Sequence, residues 1–266
     1  IQATTANFRT NNYCNNEVST TAPASALTTT SGSTAYTVGS FALQGLATST
    51  IAVAASDTAQ TLAATINGTT ATTGVTASAK TEESATFTAG GVYSLGVTSD
   101  NGTAANVTFT VGAALNASGL ASAVSAFNDV SSKTGVTAKL NSTNNGLILT
   151  NASGNNITLA NNSASASVTV GAINGAGTVQ GTPVAVAAGA AATTMGYVSM
   201  NSDKGFSIGT TGSNAVIAST GATLNTVSGI DVSTVKGAAD ALKVLDSALA
   251  NVNSQRASFG ALQSRF

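Results

Sequence analysis

The sequence contains no histidine, no tryptophan and a single cysteine, and only 7% of its 266 residues are charged. Without histidine, Ser-His and Cys-His nucleophile pairs and the common zinc sites are excluded. Cys14 cannot form an internal disulfide, so packing must supply the stability. The net charge of -1 gives no attraction to nucleic acid or anionic lipid. We therefore expect no enzyme activity, no catalytic or metal-binding residue and no cofactor.

Adjacent carboxylates at Glu82 and Glu83 could suggest a glycosidase pair. Neighbours in a strand point to opposite faces, however, whereas glycosidases hold two carboxyl groups about 5 to 9 Å apart across a sugar. We interpret the pair as part of a solvated loop.

Alanine, threonine, serine, glycine and asparagine dominate the composition, and alternating valine, isoleucine and threonine predict a folded, β-rich protein. An internal repeat aligns residues 48–79 with 106–140 at an offset of 61. Each unit predicts strand, short amphipathic helix, strand. Ser56 or Asp57 is the expected cap of the first helix. The predicted apolar stripes of the two helices are Ala59, Leu62, Ala63 and Ile66, then Leu120, Ala121, Val124 and Phe127.

Further strands are predicted between turn residues at 85–88, 92–97, 146–150, 156–160 and 167–170. Near the C-terminal region, Tyr197 and Met200 alternate on one side of a Ser202–Gly205 turn, with Phe206 and Ile208 on the other. This pattern predicts a hairpin.

The last stretch, Asp231 to Phe266, differs in kind from the rest. Steps of three and four residues connect ten positions, of which eight are apolar: Val235, Ala238, Leu242, Leu245, Leu249, Val252, Arg256, Phe259, Gln263 and Phe266. The spacing predicts a heptad seam on a long amphipathic helix, which needs a packing partner. Because burying a guanidinium is costly, Arg256 is predicted to pair with an acceptor on another helix.

This stretch resembles the C-terminal half of the coiled-coil core of bacterial flagellins. The matching residues are Ser233, Thr234, Ala238 or Ala239, Gln255, Arg256, Ala257, Gly260, Ala261, Gln263, Arg265 and Phe266. Phe259 stands where leucine is usual, and Ser264 where asparagine is usual. The resemblance implies a helix-packing and assembly surface formed by Val235, Leu242, Leu245, Leu249, Val252, Gln255, Arg256, Phe259, Leu262 and Phe266. The internal repeat is similar to one found in the outer domains of flagellins and in filament-capping and hook-associated proteins.

The resemblance implies an α+β fold, with β-rich outer domains built on two strand-helix-strand repeats and a long C-terminal helix of a coiled-coil core. The expected divisions are an N-terminal remnant or linker (1–33), outer repeat domains (34–100 and 101–195), a returning hairpin or connection (196–230) and the core helix (231–266).

The function implied is that of an extracellular, structural filament subunit for motility, which assembles with other flagellin subunits through terminal helices truncated here. The chain as given is then expected to be a monomer, without nucleic acid or membrane insertion. Two alternatives stay open. One is a flagellin-type surface receptor or adhesin that binds an acidic polysaccharide near Tyr36, Tyr93 or Tyr197. The other is a hook-associated or capping protein, against which the run from Gln255 to Phe266 argues.

Overall fold

Strands outnumber helices in the computed structural model, which describes residues 14–19, 27–28, 38–210, 220–233 and 235–264. The strands are β1 (Cys14–Ser19), β2 (Leu27–Thr28), β3 (Gly39–Gln44), β4 (Thr48–Val53), β5 (Thr76–Thr86), β6 (Val92–Thr98), β7 (Ala105–Thr110), β8 (Val136–Leu140), β9 (Leu147–Asn151), β10 (Ile157–Asn161), β11 (Val168–Ile173), β12 (Val184–Val186), β13 (Ala191–Thr194), β14 (Tyr197–Ser202), β15 (Ser207–Thr210), β16 (Thr220–Gly221) and β17 (Thr223–Thr226). The helices are α1 (Ala59–Asn67), α2 (Thr70–Thr73), α3 (Ala121–Asp129), α4 (Ser131–Thr134) and α5 (Val235–Gln263), besides a short 3-10 turn, Val227–Gly229. The α+β class predicted from the sequence is confirmed.

The described strands form sheets of eight, five and four strands, and the long strand β5 organises the largest. Residues 76–80 of β5 pair with β14, residues 81–85 with β9, and residues 82–86 with β11. The hairpin predicted around residues 202–205 is wrong, because β14 pairs with β5 and β1 whereas β15 pairs with β3 and β16. The side chains of Phe206 and Ile208 are buried against β3 and β4, which draws β15 into a different sheet.

Two clusters of buried apolar side chains lie along the same face of β5: Ala77 and Ala79 pack against the first, and Ala85 belongs to the second. The first cluster is centred on Phe41, Leu43, Ile51, Val53, Leu62, Ile66, Val75, Met195, Val198, Met200, Phe206 and Ile208. The second cluster contains Ala85, Phe87, Tyr93, Leu95, Phe109, Leu120, Phe127, Leu147, Leu149, Ile157, Leu159, Val168 and Val170, among others. The first cluster therefore combines residues 41–75 with 195–208, which are far apart in sequence. The domain boundaries given above stay predictions.

Four aromatic rings hold the centre of the second cluster. Phe87 meets Tyr93 edge-on at a centroid distance of 5.1 Å, and Tyr93 stacks on Phe109 at 5.3 Å. Phe109 also contacts Phe127 of α3 at 5.9 Å. At the start of α3 and along it, Leu120, Ala123 and Phe127 are buried. Ala121 was predicted to belong to this buried stripe, but it is exposed.

Helix α1 is capped by Thr58 rather than by Ser56 or Asp57. The Thr58 hydroxyl accepts a hydrogen bond from the Thr61 backbone N–H, and the Thr61 hydroxyl accepts one from the Thr58 N–H. This reciprocal arrangement satisfies two amide groups at the helix start. Asp57 instead accepts a hydrogen bond from the backbone N–H of Ala54 at 2.7 Å. The buried stripe of α1 is the predicted one: Ala59, Leu62, Ala63 and Ile66.

The connections from helix to following strand are alike at positions 61 residues apart. The Asn67 side chain donates to the Ala77 carbonyl at 2.9 Å and accepts from the Ala77 N–H at 2.7 Å. Asn128 makes the same two bonds to Ala138, at 3.0 and 2.8 Å. Gly74 and Gly135 both take positive φ angles, 70° and 69°, between helix and strand. In each place an asparagine amide thus fills the hydrogen-bonding positions that a neighbouring strand would occupy.

The interpretation of Glu82 and Glu83 as a solvated loop is wrong. Both residues lie within β5, and they are 8% and 0% exposed. Strand β5 continues through them because β9 and β11 both pair with this part of its backbone. Being neighbours in a strand, the two carboxylates point to opposite faces.

Replacing Asn128 by alanine is expected to lower the free energy of unfolding by about 1–3 kcal/mol, because two hydrogen bonds to the strand backbone are lost together. Urea unfolding followed by circular dichroism measures the change. The control is Asn162→Ala, at an exposed side chain for which the described residues provide no hydrogen-bond partner. Equal stability of the two variants would contradict the bridging role.

Candidate assembly surface

Helix α5 exposes a row of large apolar side chains. It contains 29 residues and, at the usual rise of an α-helix, spans about 43 Å. The exposed side chains are Leu242 (64% exposed), Leu245 (45%), Leu249 (61%), Phe259 (48%) and Leu262 (45%). The first four follow the heptad spacing of the predicted seam. We call these five residues the apolar row.

A different side of α5 contacts the rest of the protein. Ala241 and Val244 are 6% and 3% exposed, and the helix packs against β1 and the 3-10 turn at 227–229. Successive residues of an α-helix are rotated by about 100°. The buried side is therefore adjacent to the apolar row, and docking on the sheet leaves that row uncovered.

The other residues of the predicted assembly surface have varied surroundings. Val252 and Gln255 are partly buried, and the side chain of Arg256 is exposed. Phe266 and the side chain of Val235 lie outside the described part of the protein. Packing of this surface in a coiled coil, and an ionic partner for Arg256, stay predictions.

A polar cleft of about 390 Å³ lies where α5 passes over β5 and β14. Glu82 lies at its base, where its carboxylate accepts hydrogen bonds from Lys80 Nζ at 2.8 Å and from the Tyr197 hydroxyl at 2.9 Å. From the helix, Asp240 and Lys243 line the cleft and pair with each other at 3.3 Å. Oppositely charged groups of the sheet and the helix thus face the same space.

The surroundings in the cleft shift the pKa of Tyr197. Burial raises the pKa of the Tyr197 hydroxyl above its usual range, and the Glu82 carboxylate raises it further by charge and by hydrogen bonding. Asp240 on α5 makes a smaller contribution in the same direction. Tyr197 therefore stays neutral and acts as a donor to Glu82. Asp240 and Tyr197 line the same cleft, so the helix lies close to the sheet here.

The tyrosines considered for sugar binding are engaged elsewhere or lie outside the described residues. Tyr93 is 1% exposed, and its hydroxyl donates to the Ser167 carbonyl and accepts from the Thr88 N–H. Tyr197 is 9% exposed and bound to Glu82. Tyr36 is not among the described residues. Neither described tyrosine presents the open ring on which a sugar would stack.

Sequence reasoning missed the side of α5 that docks and the charged cleft beneath it. Ala241 and Val244 follow helical spacing next to the predicted seam, so a wider apolar stripe was visible in the sequence. No local pattern connects Glu82 to Asp240, because the contact depends on the path of the chain between them. In the part of the chain that the structure describes, no three metal-ligating side chains come together, and no helix is long and apolar enough to cross a membrane.

The orientation of α5 predicts unequal effects of two neighbouring substitutions. Val244→Ala should lower the free energy of unfolding by about 1–2 kcal/mol, because it removes buried methyl groups. The control Leu242→Ala should cost less than about 0.5 kcal/mol, because that side chain is mostly in solvent. Urea unfolding measures both values. A larger cost at Leu242 would mean that the helix docks through the row instead.

The contact between helix and sheet can be measured through Tyr197. Asp240→Asn should lower the pKa of the Tyr197 hydroxyl, since a negative charge that disfavours tyrosinate is removed. Asp246→Asn, on an exposed position of the same helix, should leave it unchanged. Alkaline titration followed by tyrosinate absorbance, with Tyr197→Phe to assign the signal, provides the measurement. Identical titrations of the two Asn variants would place α5 away from the sheet.

Comparisons with known proteins identify relatives for parts of the chain. Residues 40–101 match the family described as flagellin hook IN motif. The chain is 37% identical over 149 residues to B-type flagellin of Pseudomonas aeruginosa, an alignment that covers 52% of this chain and 30% of the relative. It is 58% identical over 41 residues to polar flagellin A of Vibrio parahaemolyticus, which covers 15% of this chain and 11% of that relative. The alignments thus span less than a third of either relative. The matched motif and both alignments are thus similarities to flagellins over parts of the chain.

Proposed function

We propose that this chain is part of an extracellular structural subunit of the bacterial flagellar filament, and that α5 forms part of the contact between helices in the filament core. The observation that carries the proposal is the apolar row: Leu242, Leu245, Leu249 and Phe259 follow heptad spacing on a 29-residue helix and are 45–64% exposed. A row of large apolar groups in water is typical of a surface that another helix covers. The similarity to two flagellins supports the same assignment.

In the proposed subunit the β-rich part faces solvent. Its buried residues are already packed in the first and second clusters, and threonine, serine and asparagine dominate its surface. We infer that residues 48–79 and 106–140 are two copies of one strand-helix-strand module. The matching bonds of Asn67 and Asn128 and the matching glycines at 74 and 135 support this inference. The role is mechanical, and it requires no catalytic group or cofactor.

The test expresses the full-length protein that carries this sequence in a bacterium whose own flagellin gene is deleted. The combined change Leu242→Ser, Leu245→Ser and Leu249→Ser should abolish filaments, because the apolar contact between helices is removed. Filaments are counted by electron microscopy and motility is scored in soft agar.

The matched control replaces three exposed valines of the β-rich part by serine: Val38 (66% exposed), Val92 (66%) and Val179 (44%). This control should assemble and swim like the unchanged protein. Both triple variants should keep the circular dichroism spectrum of the folded chain. Absence of filaments from the unchanged protein would overturn the proposed function, whereas filaments from the leucine variant would overturn the role of the apolar row.

A further inference from the structure

Glu83 is a carboxylic acid in the interior of the fold, and none of the residues that the structure describes gives it a counter-ion. It is 0% exposed, and neither of its carboxyl oxygens has a hydrogen bond of ordinary geometry among the described residues. Glu82, next to it, has both oxygens bonded on the opposite face of β5. The two adjacent carboxylates therefore occupy contrasting environments.

The surroundings of Glu83 are polar but uncharged. Thr81, two residues away on the same face of β5, and Thr194 on β13 are both 0% exposed, and neither hydroxyl makes a hydrogen bond of ordinary geometry within the described part of the chain. A Cβ atom added at Gly196 would collide with the Thr81 hydroxyl, so the chain after β13 lies directly against β5. The three side chains Thr81, Glu83 and Thr194 form a buried polar contact between these strands.

Within the described elements packed around this contact, no opposite charge faces it. In β5, Glu83 is paired across the sheet with Leu149 of β9 and Ala172 of β11. Strands β9, β10, β11 and β13 and helix α1 contain no ionisable residue. The ionisable residues of β5 nearest to it, Lys80 and Glu82, lie on the other face of the strand.

We propose that Glu83 is a pH-sensitive element of the contact between β5 and β13. It is neutral while the two strands are in contact, and it loosens this contact when it ionises. A carboxylate without a partner is far more costly to bury than a neutral carboxylic acid. Ionisation must therefore draw in water or separate the strands. The element is independent of the assembly surface on α5.

The pKa of the Glu83 carboxyl agrees with this geometry. Burial raises it from 4.5 to about 8, and the nearby Thr194 hydroxyl lowers it by less than burial raises it. Because the folded-state pKa exceeds that of the unfolded chain, the folded state binds the proton more tightly. The resulting stability is fully present below about pH 4.5, falls as the pH rises toward 8, and is lost above it.

The first experiment measures urea unfolding of the chain at pH 5, 6, 7 and 8 by circular dichroism. The unfolding constant should rise about tenfold per pH unit over this range, the expected effect of one proton held only by the folded state. Glu83→Gln, which cannot ionise, should remove this slope. The control Glu82→Gln should keep it. Equal slopes for the unchanged chain and Glu83→Gln would overturn the proposal.

A second measurement does not depend on whether the Gln variant folds. The sequence contains three glutamates, Glu17, Glu82 and Glu83, so carboxyl-carbon NMR of glutamate-labelled protein resolves each titration. One of them should titrate near pH 8 in the folded protein, and assignment of the carboxyl resonances through the backbone of the unchanged chain should identify it as Glu83. Titration of all three below about pH 6 would contradict the proposal, because free carboxyl groups of glutamate titrate near 4.3.

Loosening is measured by amide hydrogen exchange at pH 9. Protection factors of residues 81–85 and 191–194 should be lower in the unchanged chain than in Glu83→Gln, while those of the aromatic strands β6 and β7 should be alike. Equal protection in both proteins would mean that ionisation leaves the contact closed, which also overturns the proposal.

Discussion

The rest of the structure depends on how strand β5 is paired and buried. One 11-residue strand pairs with β14, β9 and β11, so most of the largest sheet is hydrogen-bonded to it directly or through one neighbour. Its two faces differ. One face carries Thr81, Glu83 and Ala85 into the interior, and the other carries Glu82 to Tyr197 and the cleft beneath α5. The polar interior contact and the charged cleft beneath α5 thus lie on opposite faces of the same strand.

A chain with 19 charged residues among 266 has few ways to make specific polar contacts, and it concentrates them. Lys80, Glu82, Asp240 and Lys243 meet in the cleft, although they come from distant parts of the sequence. Elsewhere, neutral amides and hydroxyls perform the connecting roles, as when the Asn128 side chain bonds both backbone groups of Ala138. Hydrogen bonds between neutral groups depend little on salt, whereas the ion pairs at the cleft are partly exposed and are screened by it.

Local patterns predicted much of the fold and little of its long-range pairing. Alternation in residues 92–97 and 146–150 predicted β6 and β9 to within about one residue, and the offset of 61 predicted that Asn67 and Asn128 are equivalent. The hairpin at 202–205 failed because β15 pairs with β3, about 160 residues earlier, and nothing local encodes that choice. The burial of Glu83 was missed because composition rules place carboxylates outside, and only the packing of β13 shows otherwise. For α5 the heptad spacing predicted a helix with an apolar side, but not which side of the helix the sheet covers.

The two adjacent apolar sides of α5 have different surroundings. Ala241 and Val244 are small, and they dock the helix on its own chain, whereas the larger Leu242, Leu245 and Leu249 stay accessible. With a net charge of -1, the surface offers little electrostatic steering, so a partner helix would have to be recognised by apolar matching. Apolar contact is strong but does not itself fix the register of two helices. In coiled coils, single polar residues within the seam supply that information. Arg256, exposed here between Val252 and Phe259, is predicted to be such a residue, because a guanidinium is stable in a buried seam only opposite an acceptor.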